Sequence, residues 1–121
     1  MIDTRDIAEV AAKVLTEEGH EGKTYTLTGP ASISYYDVAA ALSEALDKEV
    51  IYVEVPLDAA RGAMVGEGFP EWLADAVIEW AEAFRGGYGD FTTEDVERLT
   101  GHPATSYEKF AGDFAQVFGG G

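Results

Sequence analysis

The sequence predicts an α/β fold, mainly helical, with a small parallel βαβ unit of two core strands in the order α-β-α-β-α-α-α-α. Apolar residues recur at helical spacing through most of the chain, whereas residues 23–28 and 50–55 are rich in β-formers. The segment between those two runs reads as a helix with short connections. Two strands joined in that way are parallel with a right-handed crossover.

The first helix is expected at about 4–17, where Ile7, Val10, Ala11, Val14 and Leu15 fall on one apolar stripe. His20 and Gly22 lie in the turn after it, and the first strand, 23–28, ends at Gly29-Pro30. Ser34 is the expected N-cap of a helix at 35–47, with Asp37 at its third position. That helix should bury Tyr35, Val38, Ala39, Leu42 and Leu46. The second strand, 50–55, closes at Pro56.

A helix at 57–65 should end at Gly66-Glu67-Gly68, and Pro70 opens another at 71–85, stopped by Gly86-Gly87. Leu73, Val77, Trp80 and Phe84 share one seam of it. Thr93 is expected to cap a short helix at 94–100. Thr105 with Glu108 should form a capping box for the last helix, 106–118, whose buried face is Phe110, Ala111, Phe114 and Phe118. The expected organisation is a single unit over 1–118 with a flexible tail, Gly119-Gly120-Gly121. A two-stranded parallel sheet has open edges, so a partner copy or a longer chain is expected to complete it.

Charge narrows the function classes. The 121 residues carry 23 acidic and 8 basic side chains, a formal net charge of −15. Nucleic-acid binding and attraction to anionic lipid both need basic surface, so both are excluded. Aromatic content of 12% and the apolar periodicity oppose disorder. With no cysteine, a disulfide scaffold, a thiolate zinc site and a cysteine nucleophile are impossible. No apolar run reaches the roughly 18–20 residues that span a bilayer. Residues 1–6 lack the basic and apolar regions of a signal peptide, which predicts a soluble, cytoplasmic protein. Asp75, Glu79 and Glu82 stack like charges on one helix, a pattern that salt relieves by screening, so the surface is expected to be salt-adapted, of halophilic type.

Catalytic signatures are sparse. Gly66-Glu67-Gly68 lacks both the third glycine and the preceding strand of a dinucleotide fingerprint, and reads as a helix end. No tyrosine has a lysine four residues on, so the Tyr-x-x-x-Lys pair of short-chain dehydrogenases is absent. Glu17, Glu18, His20 and Glu21 form a cluster better explained as a solvated helix end than as a metal site. His102 has no sequence neighbour to act with. No residue is assigned a catalytic, cofactor-binding or metal-binding role. The most informative surface is apolar: Met64, Phe69, Trp72, Leu73 and Trp80 gather near a turn bounded by glycine and proline. Ordinary core is the commoner explanation for each alone, and a pocket wall or an interface is the sharper one.

Four stretches together resemble the C-terminal third of NmrA-like proteins: Asp3-Thr4-Arg5-Asp6-Ile7-Ala8, Tyr25-Thr26-Leu27-Thr28-Gly29-Pro30, Ile33-Ser34-Tyr35-Tyr36-Asp37-Val38-Ala39 and Val53-Glu54-Val55-Pro56. These are atypical short-chain dehydrogenase/reductases with NAD(P)H:quinone reductase-like members. Pro70-Glu71-Trp72-Leu73 fits as well, as do Thr100-Gly101-His102-Pro103 and Ser106-Tyr107-Glu108-Lys109-Phe110, with His102 where the family often has arginine. Each motif is soft; their order along nearly the whole chain carries the resemblance.

The resemblance implies a substrate-binding, C-terminal-type domain without the Rossmann half that binds NAD(P) in full-length relatives. It implies no cofactor site in this chain and no catalysis by it alone. Arg5 is expected to face the cleft or to pair with a carboxylate. Met64, Phe69, Trp72 and Leu73 are expected to contact an apolar small molecule such as a quinone, with Tyr52 adding a polar tip. Two alternatives stand beside this. One is a non-catalytic, homo-oligomeric interaction or regulatory module, with a homodimer the simplest case. The other is half of an oxidoreductase completed in trans by a Rossmann chain.

Overall fold

The computed structural model describes residues 1–119, and among them every regular element is a helix. In order these are α1 (Thr4–Thr16), α2 (Tyr35–Leu46), α3 (Leu57–Gly66), α4 (Glu71–Arg85), α5 (Asp95–Thr100), α6 (Tyr107–Asp113) and α7 (Ala115–Gly119). They fall into two compact units. Unit 1 is Met1–Tyr52 with the described residues from Phe91 onward, and unit 2 is Val53–Asp90. Of the expected glycine tail, Gly119 closes α7, while Gly120 and Gly121 lie outside the described residues.

The expected βαβ unit is overturned. Neither 23–28 nor 50–55 is a strand, and the described residues contain no sheet. β-propensity is realised only where a ladder partner takes the backbone groups. Here side chains take them instead. The Thr26 amide donates to the Asp95 carboxylate at 2.9 Å, and the Thr93 amide to the Thr28 hydroxyl at 2.9 Å. The Thr93 hydroxyl donates to the Thr26 carbonyl. At the other run, the Val50 amide donates to Ser43 Oγ at 2.9 Å, and the same hydroxyl lies 3.0 Å from the Val50 carbonyl.

The helices follow their sequence signals closely, with instructive exceptions at the caps. Asp3 caps α1, accepting from the Arg5 amide at 2.8 Å. Ser34 and Asp37 form the expected capping box of α2, with bonds of 3.2 and 2.7 Å. The last helix breaks into α6 and α7, and Ser106 caps α6 by accepting from the Lys109 amide at 3.1 Å. Thr105 does not join Glu108 in a capping box because Asp6 claims it, accepting from its amide at 2.7 Å and its hydroxyl at 2.9 Å. Thr93 is diverted in the same way, leaving Glu94 as an N-cap without a side-chain bond.

In unit 1, α2 packs on α6 and α7, and α1 packs on α5. The buried apolar residues there are small: Val10, Ala39, Ala41, Val96 and Ala111. Tyr35, expected inside, is 60% exposed with its ring stacked on Tyr52, and Leu15 is 84% exposed. Gly29 is required by a close approach, since a Cβ there would lie 1.9 Å from the Met1 carbonyl oxygen. That approach brings residues 1–2 alongside the segment that follows Gly29.

Unit 2 is a helical hairpin of α3 against α4, with Ala74 fully buried. At the end of α3 the amides of Gly68 and Phe69 turn back onto the Val65 and Met64 carbonyls at 3.0 and 3.1 Å. Gly68 has φ +96°, a conformation that glycine adopts without steric cost. Asp75, read from sequence as one of three stacked acids, finds Arg61 across the hairpin at 2.6 Å. The α4 seam stays on the surface: Val77, Trp80 and Phe84 are 43%, 57% and 55% exposed.

Candidate functional site

A cleft of about 380 Å³ opens in unit 1, inside the ~300–1,000 Å³ range of small-molecule pockets. Three segments distant in sequence build it. Residues 1–4 contribute Met1, Ile2, Asp3 and Thr4, and the turn after Gly29 contributes Pro30, Ala31 and Ile33. The start of α6 closes it with Thr105, Ser106, Tyr107, Glu108 and Phe110. The walls are mostly apolar, and the Tyr107 and Phe110 rings lie 5.5 Å apart at a 49° tilt. Burial pushes the Tyr107 phenol above its ordinary value, so near neutral pH it is a protonated hydrogen-bond donor.

A charge network holds the cleft's N-terminal wall. Arg5 bonds Asp3 through Nε and through a terminal nitrogen at 2.7 Å, and reaches Asp113 at 2.9 Å. Its guanidinium also sits 5.0 Å from the centre of the Phe114 ring. Lys109 bonds Asp113 at 3.0 Å. The Arg5 guanidinium holds the Asp3 carboxyl below its usual range; at Asp113, Lys109 and then Arg5 do the same. Asp3 and Asp113 in turn raise the Arg5 pKa.

A second network fixes the loop before α6. His102 lies with Nδ1 2.8 Å from the Pro103 carbonyl and Nε2 2.5 Å from the Glu9 carboxylate. The Pro103 carbonyl, and then Glu9, raise the His102 pKa. Buried Asp6 completes this wall through Thr105. Ligand-type atoms of Asp6, Glu9 and His102 lie within 4.8 Å of one another. A metal would need a neutral imidazole and an available lone pair. Here both imidazole nitrogens face acceptors and both Asp6 oxygens accept from Thr105, so the arrangement suits an imidazolium. His20, the histidine of the cluster read from sequence, instead lies with Nδ1 2.8 Å from the Tyr25 hydroxyl.

None of the six residues singled out from sequence lines this cleft. Arg5 stands behind it, each of its three side-chain nitrogens on a carboxylate. Tyr52 packs with Tyr35 and Tyr36, ring centres 5.4 and 4.9 Å away. Met64, Phe69, Trp72 and Leu73 belong to unit 2, at the turn between α3 and α4, where Trp72 is 70% exposed. Sequence reasoning missed Pro30, Ala31, Ile33, Tyr107 and Phe110 as a set, and missed His102 with Glu9. A usable signal was present, since the cleft is built largely from segments that carry the NmrA-like resemblance.

No family model matches the chain. It is 44% identical over 118 residues to the NAD(P)H azoreductase of Xenophilus azovorans, covering 98% of this chain and 41% of that protein. It is 34% identical over 102 residues to quinone oxidoreductase 2 of Escherichia coli, covering 84% of this chain and 35% of that one. Among solved structures it matches the triphenylmethane reductase of Citrobacter sp., complexed with NADP(H), with a TM-score of 0.78 and 31% identity, over 94% of this chain and 39% of that one. The chain is related to NAD(P)H-linked oxidoreductases. It spans about 40% of the length of these relatives.

Among the described residues no glycine cluster opens a helix as a dinucleotide fingerprint requires. Gly66 and Gly68 end α3, where the Glu67, Gly68 and Phe69 amides are spent on helix carbonyls rather than left to meet a pyrophosphate. Gly86, Gly87 and Gly89 follow α4, where the Gly86, Gly87 and Tyr88 amides likewise return to helix carbonyls. No helix of the described residues is long and apolar enough to cross a membrane.

Proposed function

We propose that this chain is the substrate-side, C-terminal-type portion of an NmrA-like, NAD(P)-dependent oxidoreductase, and that it holds an apolar ligand in the unit 1 cleft. Dinucleotide binding and hydride transfer belong, on this reading, to a Rossmann portion outside these residues. One observation carries it: the cleft draws its walls from Asp3 and Thr4, from Pro30 and Ile33, and from Ser106, Tyr107, Glu108 and Phe110. Those residues lie within the segments that resemble the family. A quinone fits the chemistry of the walls, with apolar faces for its ring and the Tyr107 hydroxyl as a donor for a carbonyl oxygen.

Titration with menadione tests this. Saturable binding should weaken at least about tenfold in Ala31→Trp, whose indole fills the cleft, the equivalent of ~1.4 kcal/mol. It should stay unchanged in Trp72→Ala. Binding that survives Ala31→Trp and is lost in Trp72→Ala would move the site to unit 2.

A second reading is favoured by the surface of unit 2. Trp72 is 70% exposed, and Trp80, Phe84 and Tyr88 form an exposed aromatic group with ring centres 5.6–6.1 Å apart. Exposed aromatic surface of this kind suits self-association. Sedimentation velocity of the wild type and Trp80→Ser decides it, with a concentration-dependent dimer lost in the variant as the supporting result.

A further inference from the structure

We propose that the unit 1 cleft discriminates by ligand charge, preferring a planar aromatic cation to an aromatic anion of the same size, and that Glu108 sets the preference. This rests on the reading that the cleft binds an apolar ligand, and adds to it the electrostatic class of that ligand. The argument is a charge inventory of the cleft and of what stands behind it.

The cleft is lined by two carboxylates, Asp3 and Glu108, and by no lysine or arginine side chain. Asp3 is neutralised locally. It belongs with Arg5, Asp113 and Lys109 to a chain of ion pairs of 2.7, 2.9 and 3.0 Å, in which two acids and two bases balance. Glu108 has no ion pair among the described residues, so its charge is the one left facing the cleft. The aromatic walls, Tyr107 and Phe110, add to this, since a cation is attracted to the face of an aromatic ring.

Two features favour an anion, the Met1 α-amino group at the cleft and the start of α6, and the second is weak. The helix is only seven residues long, its Lys109 amide is already bonded by Ser106, and Glu108 itself occupies its first turn. Near the cleft surface, at an effective dielectric of about 20–40 and roughly 6 Å separation, one unpaired carboxylate shifts affinity by about tenfold or more. The wider charge of the chain points the same way. It is screened over about a Debye length, whereas a contact inside the cleft is screened much less.

The test is calorimetric titration of trimethyl(naphthalen-2-yl)ammonium and of naphthalene-2-sulfonate, probes of one ring system and opposite charge. It is run at about 0.3 M NaCl to suppress binding to the acidic surface at large. N-terminally acetylated protein removes the α-amino charge at Met1, which also lines the cleft. The cation should bind about tenfold tighter or better, Glu108→Gln should cut that ratio to about threefold or less, and Ala31→Trp should abolish binding of both probes. Equal affinities, or a tighter sulfonate, would overturn the selectivity while leaving the cleft reading standing. A cation preference unchanged in Glu108→Gln would overturn the assignment to Glu108. Failure of both probes and of menadione to bind would remove the cleft reading together with the selectivity.

Discussion

The two units solve the problem of a small core in different ways. Unit 1 buries carboxylates and gives each a defined partner: Asp3 takes Arg5, and Asp6 takes the amide and hydroxyl of Thr105, ninety-nine residues away in sequence. Unit 2 has a helical hairpin with one fully buried alanine, and its aromatic side chains lie on the surface. A buried polar contact is specific because an unmade one is expensive. An aromatic face is adaptable because almost any apolar surface can cover it. The difference teaches where a shaped binding site can sit: walls pinned by directional bonds enclose the cleft of unit 1.

The largest effect should come from breaking those bonds. Asp6→Ala leaves the Thr105 amide without its acceptor and should cost about 2–3 kcal/mol, read as a fall of roughly 10 °C or more in Tm. Asp6→Asn, which keeps one acceptor, should cost less. Salt comes next. Glu79 and Glu82 have no ion pair among the described residues, and the chain carries −15 overall, so Tm should rise by several degrees between dilute and molar KCl. A flat salt response would remove the expectation of a salt-adapted surface.

The His102 network predicts a smaller, pH-dependent effect. Its pKa is raised in the folded chain, so its contribution is fully present below the unfolded value, about 6.5, and is lost as pH rises through the folded value. His102→Gln should therefore lower Tm at about pH 5.5 and match the wild type at about pH 9. A deficit that grows with pH would reverse the sign and refute the protonated latch. The smallest effect is expected in unit 2. Trp80→Ser, at a side chain 57% exposed, should change stability by less than about 0.5 kcal/mol. A loss of several degrees would show that unit 2 depends on its aromatic face as unit 1 depends on its carboxylates.

How legible these regions were in the sequence follows the range of the forces involved. Helices depend on neighbours three and four residues apart, so the windows of α1 to α5 were read to within a residue or so, as was the Ser34–Asp37 capping box. The two β-rich runs misled because a strand is a property of a pair. Side chains at Ser43, Thr93 and Asp95 took the backbone groups that a neighbouring strand would have used. Thr105 looked like a cap for the same reason, its true partner Asp6 being invisible to any local pattern. The aromatic turn at Phe69–Trp72 drew attention because its residues are adjacent in sequence. The cleft went unread because its walls converge from three places. Even so, Gly29-Pro30, read as the end of a strand, marks one of its edges, where the Met1 backbone leaves no room for a side chain.

The most direct test of the cleft is a map of amide chemical shifts in the isotopically labelled chain as menadione is added. The cleft account predicts saturable shifts at residues 2–4, 31–33 and 105–110, with the amides of Met64, Phe69, Trp72 and Leu73 unmoved. Shifts confined to the latter four, with the cleft silent, would contradict it and return the site to the exposed aromatics of unit 2.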